Sequence, residues 1–127
     1  MTIMETSRLA PARYQDEHLT FDFASGAAHC DSQPMVLTRK EQELLAMLLG
    51  NQGEIVPRQV LLSRVWGYSV ECRTRTLDVH IRRLRKKLGA FGDTYIETIF
   101  GVGYRFQRYR EPRYTPSFAV PLALATA

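Results

Sequence analysis

The amino-acid sequence predicts an α+β domain in which a short antiparallel β-meander precedes three helices and a C-terminal β-hairpin. Three patterns along the 127 residues indicate this order. Apolar residues first alternate with a period of two, then recur at helical spacing, and alternate again after a glycine-rich turn. The length fits one globular domain, which can bury a core without disulfide or metal staples.

The predicted meander begins at Leu19, since Leu19, Phe21 and Phe23 fall on one face of a strand. Ser25-Gly26 is a turn signal, and two further strands are expected around 28–30 and 35–37. Residues 1–17 show no periodicity and are interpreted as an N-terminal arm. The domain is therefore expected over 18–109, followed by a C-terminal tail over 110–127 that docks on the domain or stays mobile.

The first predicted helix runs from about residue 39 to 50. Thr38 and Glu41 have the spacing of a capping box, in which each side chain satisfies a backbone amide of the first turn. The apolar residues that follow at helical spacing are Leu44, Leu45, Leu48 and Leu49.

The second predicted helix starts at Pro57, where a missing amide costs nothing, and ends at Gly67. Ile55 and Val56 lead into it. Its expected buried stripe comprises Val60, Leu61, Val65 and Trp66.

The third predicted helix, about 74–88, joins a narrow apolar stripe to a basic outer face. Leu77, Ile81, Leu84 and Leu88 lie at i, i+4, i+7 and i+11. A turn of about 100° per residue then fixes which residues point away from the core. The outer side carries Arg75, Val79, Arg82, Arg83 and Lys86, one edge carries Thr76, His80 and Lys87, and the other carries Asp78 and Arg85.

The C-terminal hairpin is predicted from strands at about 95–100 and 104–109 around Gly101-Val102-Gly103. The two glycines also form half of a dinucleotide-binding motif. Phe106 occupies the position where that motif needs glycine, so the segment is interpreted as a turn.

The formal net charge of +4 is unevenly distributed along the chain. Residues 1–72 hold six Lys/Arg against nine acids, whereas residues 73–113 hold eleven against four. The first part is thus −3 and the second +7. Such a basic segment indicates a polyanionic partner, and the alternative is a solvated charged face.

Other functional classes find little support in the sequence. Cys30 and Cys72 form no CxxC pair, and no signal peptide precedes them, which favours a reduced, cytoplasmic protein. The apolar stretch 118–127 is too short to cross a membrane. The three histidines lack metal-site spacing, so we expect no cofactor, metal, small-molecule ligand or enzymatic activity.

Two helices joined by a short loop, the second of them basic on its exposed face, indicate a helix-turn-helix. The segments 37–41, 75–88 and 101–106, with Val65-Trp66-Gly67, resemble the OmpR/PhoB-type winged-helix effector domain of bacterial response regulators. The resemblance covers about residues 18–108. It implies a winged helix-turn-helix that binds double-stranded promoter DNA sequence-specifically, usually as a tandem pair on direct repeats.

The resemblance also implies roles for individual residues. The third helix would read bases in the major groove, the hairpin wing would lie on adjacent backbone or in the minor groove, and the loop after the second helix would touch RNA polymerase. The candidates for base contact are Val79, Arg82, Arg83 and Lys86. The candidates for phosphate contact are Trp66, Arg75, Thr76, His80, Arg85, Lys87, Thr98 and Arg105. The candidate polymerase-contact loop comprises Gly67, Tyr68, Ser69, Val70, Glu71, Cys72 and Arg73.

The sequence departs from the family pattern in two ways. Phe100 stands before the wing glycine, where the family often has Arg or Lys for minor-groove insertion. The family usually carries a phosphoacceptor receiver domain ahead of this one, and seventeen residues are too few for it. We therefore expect a stand-alone effector domain or a piece of a longer regulator.

Several alternatives remain open at this stage. The domain could instead bind a protein partner through residues 67–74 and the tail, or bind nucleic acid without regard to sequence. Trp66 could belong to the core, and His80 could be an ordinary solvated residue. Asp78 is expected to pair with Arg82 at i+4, with cytosine contact as the alternative. Cys72 beside arginines could sense redox state, but an incidental cysteine is favoured.

Overall fold

The computed structural model describes residues 13–67 and 75–109 and confirms the predicted fold class. The strands are β1 (Arg13–Gln15), β2 (Leu19–Asp22), β3 (Ala28–Cys30), β4 (Gln33–Met35), β5 (Ile55–Pro57), β6 (Ile96–Ile99) and β7 (Gly103–Phe106). A four-stranded antiparallel sheet, in the order β1-β2-β3-β4, precedes the helices. A second sheet, in the order β5-β7-β6, contains the C-terminal hairpin. The α-helices are α1 (Arg39–Gly50), α2 (Arg58–Leu61), α3 (Arg75–Leu88) and α4 (Gly92–Tyr95).

β1 lies within the segment that the sequence assigned to an arm. Tyr14 pairs with Phe21 of β2 and is only 4% exposed, so the sheet begins before the predicted domain start at residue 18. A three-residue strand is too short to show alternation, which is why the pattern missed it. The Asp16 carboxylate, in the turn after β1, accepts hydrogen bonds from the amide of Leu19 (2.9 Å) and the hydroxyl of Tyr95 (2.7 Å). This carboxylate therefore ties the N-terminal sheet to α4.

The turn between β3 and β4 explains why β4 starts earlier than predicted. Asp31 and Ser32 both have positive φ, at 53° and 69°, as in a two-residue hairpin turn of type I′. Pairing therefore resumes directly at Gln33, opposite Cys30. The predicted strand at 35–37 is displaced to Gln33–Met35.

α1 has the predicted bounds and the predicted capping box. The Thr38 hydroxyl accepts from the Glu41 amide at 3.2 Å, and the Glu41 carboxylate accepts from the Thr38 amide at 2.9 Å. The four predicted leucines of this helix are all buried. Glu41 is buried as well, with 1% exposure, although the sequence marked it only as a cap.

The second helix differs from the prediction in its start, its buried stripe and its winding. Pro57 ends β5 and occupies the N-cap position of α2, where its side chain makes no hydrogen bond. α2 then continues into a π-helical turn (Leu62–Trp66). Leu62 is buried together with Leu61 and Val65. Val60, expected in the core, is 37% exposed, because it lies about 100° around the helix from Leu61, on the side away from Leu62. Ile55 and Val56, expected only to lead into the helix, form a strand paired with β7.

The apolar stripe predicted for α3 is confirmed, since Leu77, Ile81, Leu84 and Leu88 are all at most 2% exposed. The loop expected over 90–94 is instead a 3-10 turn (Gly89–Phe91) followed by α4. The hairpin strands β6 and β7 are each shorter than predicted.

Gly103 is required by the close approach of β5 to β7. A Cβ atom at this position would lie 2.0 Å from the carbonyl oxygen of Val56. Tyr95 and Phe106, both fully buried, stack at a centroid distance of 5.2 Å and join α4 to the hairpin. No helix within 13–67 and 75–109 combines the length and apolar character needed to cross a membrane.

Candidate nucleic-acid interface

The outward side of α3 carries four cationic side chains and one valine, which together we call the cationic face: Arg75, Val79, Arg82, Arg83 and Lys86. Its four charged residues are exposed, and Val79 is half-buried. Within the described part of the chain, no ion pair or side-chain hydrogen bond engages any of these four charges. The helical spacing predicted this arrangement, and the buried stripe on the opposite side holds it outward.

One edge of the cationic face is held by α1 and the end of the second helix. Lys87 donates to the buried carboxylate of Glu41 at 2.5 Å. A ring nitrogen of His80 lies 2.8 Å from the carbonyl oxygen of Thr76. The ring of His80 also meets Trp66 edge to face, with centroids 4.9 Å apart. This edge is therefore packed and hydrogen-bonded to the helical core.

The Glu41 carboxylate stays ionised inside this edge. Burial by itself raises the pKa of Glu41, but the hydrogen bonds from Lys87 and from the Thr38 amide outweigh burial and hold the pKa below its usual value. A buried anion with a cationic partner is thus the link between α1 and α3.

The other edge of the cationic face is held by the hairpin and α2. The Arg58 guanidinium and the Tyr104 hydroxyl each donate to the Asp78 carboxylate at 2.6 Å. Arg85 donates to the carbonyl oxygen of Ile96 at 2.7 Å and to the Thr98 hydroxyl at 2.7 Å. Both edges of α3 are consequently fixed, and the cationic face between them remains open.

Tyr104 stays protonated as a donor in this edge. Burial and the hydrogen bond to Asp78 raise the pKa of Tyr104 to about 12. Its ring also lies under the guanidinium of Arg58, at 5.4 Å from the ring centroid, and near that of Arg85, at 5.8 Å. The tyrosine therefore bridges the hairpin to two arginines and one carboxylate.

Asp78 has a different intramolecular partner from the one expected. The sequence favoured Arg82, one turn further along the same helix. The structure pairs Asp78 with Arg58 of α2, because Asp78 lies on the edge that faces the hairpin and α2. Arg82 is thereby left on the cationic face.

Four residues predicted to contact phosphates, Arg85, Lys87, Thr98 and Arg105, have hydrogen-bonding partners on another helix or strand. Lys87 pairs with Glu41, and Arg85 donates to the Thr98 hydroxyl. Arg105 donates to the Glu97 carboxylate across the hairpin at 2.8 Å and 3.0 Å. The helical wheel placed Arg85 and Lys87 on the edges, but it could not show what lies against those edges. Of the other predicted phosphate contacts, Arg75 is exposed, and Thr76, His80 and Trp66 are half-buried.

Sequence reasoning missed three residues that position α3. Glu41 carries two tasks, since it caps α1 and neutralises Lys87. Arg58 and Tyr104 converge on Asp78 from two other elements. Of these three residues, only Glu41 had a signal in the sequence, which was the capping box that it forms with Thr38.

Most of the predicted polymerase-contact loop lies outside the described residues, which stop at Gly67 and resume at Arg75. Gly67 ends the second helix in the left-handed region, with φ of 75°. Cys72 also falls in the part that the structure does not describe.

The chain is similar to known bacterial regulators in sequence and in structure. Residues 32–106 match the family "Transcriptional regulatory protein, C terminal". The response regulator ArlR of Staphylococcus saprophyticus is 47% identical over 75 residues, which cover 58% of this chain and 34% of ArlR. The chain thus spans about a third of the length of that relative.

Two solved structures extend the likeness to the fold. DrrB, an OmpR/PhoB homologue of Thermotoga maritima, superposes with a TM-score of 0.71 and 31% identity, covering 80% of this chain and 47% of DrrB. The RstA DNA-binding domain of Klebsiella pneumoniae, solved in complex with the RstA box, superposes with a TM-score of 0.69 and 28% identity. That match covers 76% of this chain and 98% of the RstA domain.

The family match spans more than half of the chain, and the fold and the open helix face agree with it. The chain therefore belongs to the OmpR/PhoB-type family of transcriptional regulatory protein C-terminal domains.

Proposed function

We propose that this chain is a sequence-specific, double-stranded DNA-binding transcription regulator that places α3 in the major groove. The observation that carries the proposal is the cationic face, whose charges have no partners in the described part of the chain while both edges of its helix are fixed. The family assignment and the RstA domain solved on its DNA box support the same function.

The dimensions of α3 suit a major groove. From Arg75 to Lys86 the helix rises by about 16 Å, which corresponds to roughly five base-pair steps. A groove about 12 Å wide admits one helix, and arginine bonds bidentately to the guanine edge. Four cations on one open face also supply the phosphate neutralisation that drives duplex binding.

Within this proposal, Val79, Arg82, Arg83 and Lys86 contact bases. The contacts to phosphates come from Trp66, Arg75, Thr76 and His80. Arg85, Lys87, Thr98 and Arg105 were also predicted to contact phosphates, and we assign them a positioning role, because each already has a hydrogen-bonding partner on another helix or strand.

Binding to a duplex recovered from a random pool tests the proposal directly. We expect Arg82→Ala and Arg83→Ala each to weaken binding by about 1–3 kcal/mol at the preferred site, measured by fluorescence anisotropy. Wild-type affinity should fall steeply with salt, with a slope of about −0.9 per neutralised phosphate. Arg13→Ala, in β1, is the charge-matched control and should bind like wild type.

The results separate this function from its two rivals. Unchanged binding by both α3 variants would show that α3 is not the recognition helix. Equal competition by scrambled DNA would favour binding without sequence preference. Absence of duplex binding by the wild type would favour the protein-interaction module.

We further propose that two copies bind in tandem on direct repeats and that residues 67–73 contact RNA polymerase. The selected DNA tests the first part, since tandem binding predicts repeated half-sites about one helical turn apart. A single half-site in every selected sequence would contradict tandem binding. For the second part, Glu71→Ala should lower transcription in a reconstituted system and leave duplex affinity unchanged.

A further inference from the structure

His18, in the turn between β1 and β2, joins three other segments of the fold. Its Nδ1 atom lies 2.5 Å from the Asp31 carboxylate in the turn between β3 and β4. Its ring stacks on Phe91, in the 3-10 turn after α3, with centroids 4.2 Å apart. The ring of Tyr109, which follows β7, meets the His18 ring edge to face at 4.5 Å. We call these four residues the histidine clasp.

The frame around the histidine clasp is made by backbone groups and does not depend on the charge of His18. The carbonyl oxygen of His18 accepts from the Asp31 amide at 2.7 Å. The Asp16 carboxylate accepts from the amides of His18, at 2.9 Å, and Tyr109, at 3.3 Å. Because the bond from the Tyr109 amide is long, the attachment of Tyr109 depends strongly on its ring contacts.

Negative charge surrounds the ring of His18. It lines a cleft together with the carboxylates of Asp16, Glu17 and Asp31. The hydrogen bond with Asp31 holds the pKa of His18 above its usual value of 6.5, against the effect of desolvation, and the negative charges of the three carboxylates add to this rise. The other charged or titratable side chains of the described segments around the ring are Arg13, Tyr14, His29, Cys30, Asp93, Tyr95, Arg108 and Tyr109.

We propose that the histidine clasp is a proton-sensitive switch, closed while His18 is charged and open, with Tyr109 released, once His18 is neutral. The imidazolium forms an ion pair with Asp31, whereas the neutral ring forms only a hydrogen bond to it. The cation is also attracted to the aromatic rings of Phe91 and Tyr109, and this attraction is lost on deprotonation. The switch uses no residue of the cationic face, so it is independent of the proposed DNA-binding function.

The closed form of the histidine clasp is favoured on the acid side of neutrality. Because the pKa of His18 is raised in the folded protein, protonation stabilises the closed form fully below the ordinary value of 6.5. This stabilisation is lost as the pH rises through the folded-state pKa. Release of Tyr109 frees the point at which the chain leaves the hairpin, so protonation of His18 sets the path of the residues that follow.

Chymotrypsin reports the release of Tyr109, because its specificity pocket must receive the side chain next to the bond that is cut. Cleavage of the full chain after Tyr109 is measured by mass spectrometry between about pH 6 and about pH 9, across the range in which His18 titrates. A free peptide of residues 104–114 gives the intrinsic rate at the same bond at each pH. Cleavage after Tyr95, which is fully buried, reports global unfolding.

Four proteins are compared: wild type, His18→Gln, Asp31→Asn and His29→Gln. His18→Gln removes the charge and keeps a hydrogen-bonding side chain. Asp31→Asn removes the anion and suits the positive φ of 53° at this position. His29→Gln is the matched control, since His29 is an exposed histidine of the same cleft that forms no ion pair with any described residue.

Corrected by the peptide rate, cleavage of the wild type should rise with pH. We expect about a tenfold rise for each pH unit by which the pKa of His18, measured by NMR, exceeds about 6.5. His18→Gln should be cleaved faster than wild type at about pH 6, equal it at about pH 9, and show no rise of its own. Asp31→Asn should lower the pKa of His18 and flatten the rise, whereas His29→Gln should follow wild type.

The switch is overturned if the corrected wild-type rate does not change with pH, or if His18→Gln keeps the wild-type pH profile. A pKa of His18 at or below about 6.5 in the folded protein would have the same consequence. None of these measurements involves DNA, so the result for the histidine clasp and the result for the proposed function are obtained separately.

Discussion

The buried ion pair between Glu41 and Lys87 offers a sharp test of how α3 is held. Lys87→Met keeps most of the side-chain length and removes the charge that neutralises Glu41. Glu41 is 1% exposed and would retain only the hydrogen bond from the Thr38 amide. Breaking a buried ion pair costs about 3–5 kcal/mol, and we expect about 2–3 kcal/mol here, because water reaches the partly exposed Lys87 end.

The stability loss should be measured by urea denaturation at neutral pH, with Lys86→Met as the matched control. Lys86 is the neighbouring lysine on the same helix, is exposed, and forms no ion pair with any described residue. For a domain of this size, the expected loss corresponds to a fall in Tm of roughly 10 °C. Lys86→Met should stay within about 0.5 kcal/mol of wild type.

The pH dependence identifies the cause of the loss. In wild type the pKa of Glu41 is held below its usual value, so the pair stabilises the fold above that value, and this stabilisation is lost as the pH falls through the folded-state pKa. In Lys87→Met, burial without the lysine raises the pKa of Glu41, so protonation relieves the unpaired charge. The difference between wild type and Lys87→Met should therefore shrink as the pH is lowered towards about 4.

A second background completes the test of this ion pair. Glu41→Gln keeps the capping hydrogen bond, since glutamine also serves at that position, and removes the buried charge. In this background Lys87→Met should cost less than about 1 kcal/mol. The reasoning is refuted if Lys87→Met lowers the free energy of unfolding no more than Lys86→Met does at neutral pH. It is also refuted if the loss caused by Lys87→Met is the same in the wild-type and Glu41→Gln backgrounds and the same at neutral pH as at about pH 4.

Three further predictions concern the rest of the fold, each checked by chemical denaturation. Gly103→Ala should destabilise the fold by about 3 kcal/mol or more, because its Cβ would lie 2.0 Å from a backbone oxygen of β5. Gly50→Ala is the control, since its Cβ meets open space, and it should be neutral or stabilising. Equal effects of the two substitutions would contradict this geometry. Asp16→Asn should cost about 2–3 kcal/mol, since an amide nitrogen in place of Oδ2 cannot accept the hydrogen bonds from the Tyr14 hydroxyl and the Tyr109 amide. Burial by itself raises the pKa of Asp16, but the hydrogen bonds from Tyr14, Leu19 and Tyr95 outweigh burial and hold the pKa below its usual value. Wild type should therefore lose this stabilisation as the pH falls below about 3.8, whereas the variant should not. Parallel pH profiles of wild type and variant would contradict this role of Asp16. Arg58→Ala should cost only about 1 kcal/mol, because its partner Asp78 is partly exposed and keeps a second donor; a loss above about 3 kcal/mol would mean that the pair is more important than its exposure indicates.

Strong periodicity was enough to predict the longest elements. The capping box at Thr38 and four leucines located α1 to the residue, and the stripe from Leu77 to Leu88 located α3. The three-residue strands β1 and β5 were harder to predict from the sequence. β1 is too short to show alternation, and β5 is stabilised by β7, which lies far away in the chain. The π-helical turn after α2 also lacked a local signal, and the buried face of the second helix includes Leu62 and not the predicted Val60.

For the candidate site, the sequence by itself determined which residues form the cationic face of α3, because a helix of fixed pitch places them opposite its buried stripe. Only the tertiary structure decided which of the neighbouring cations remain open to a ligand. Lys87 and Arg85 on the edges of α3 and Arg105 in the hairpin were all candidates for phosphate contact in the sequence, yet each is held by an intramolecular acceptor. The physical reason is that a charged side chain takes its partner from whatever packs against its element, and for these residues that partner comes from another helix or from the hairpin.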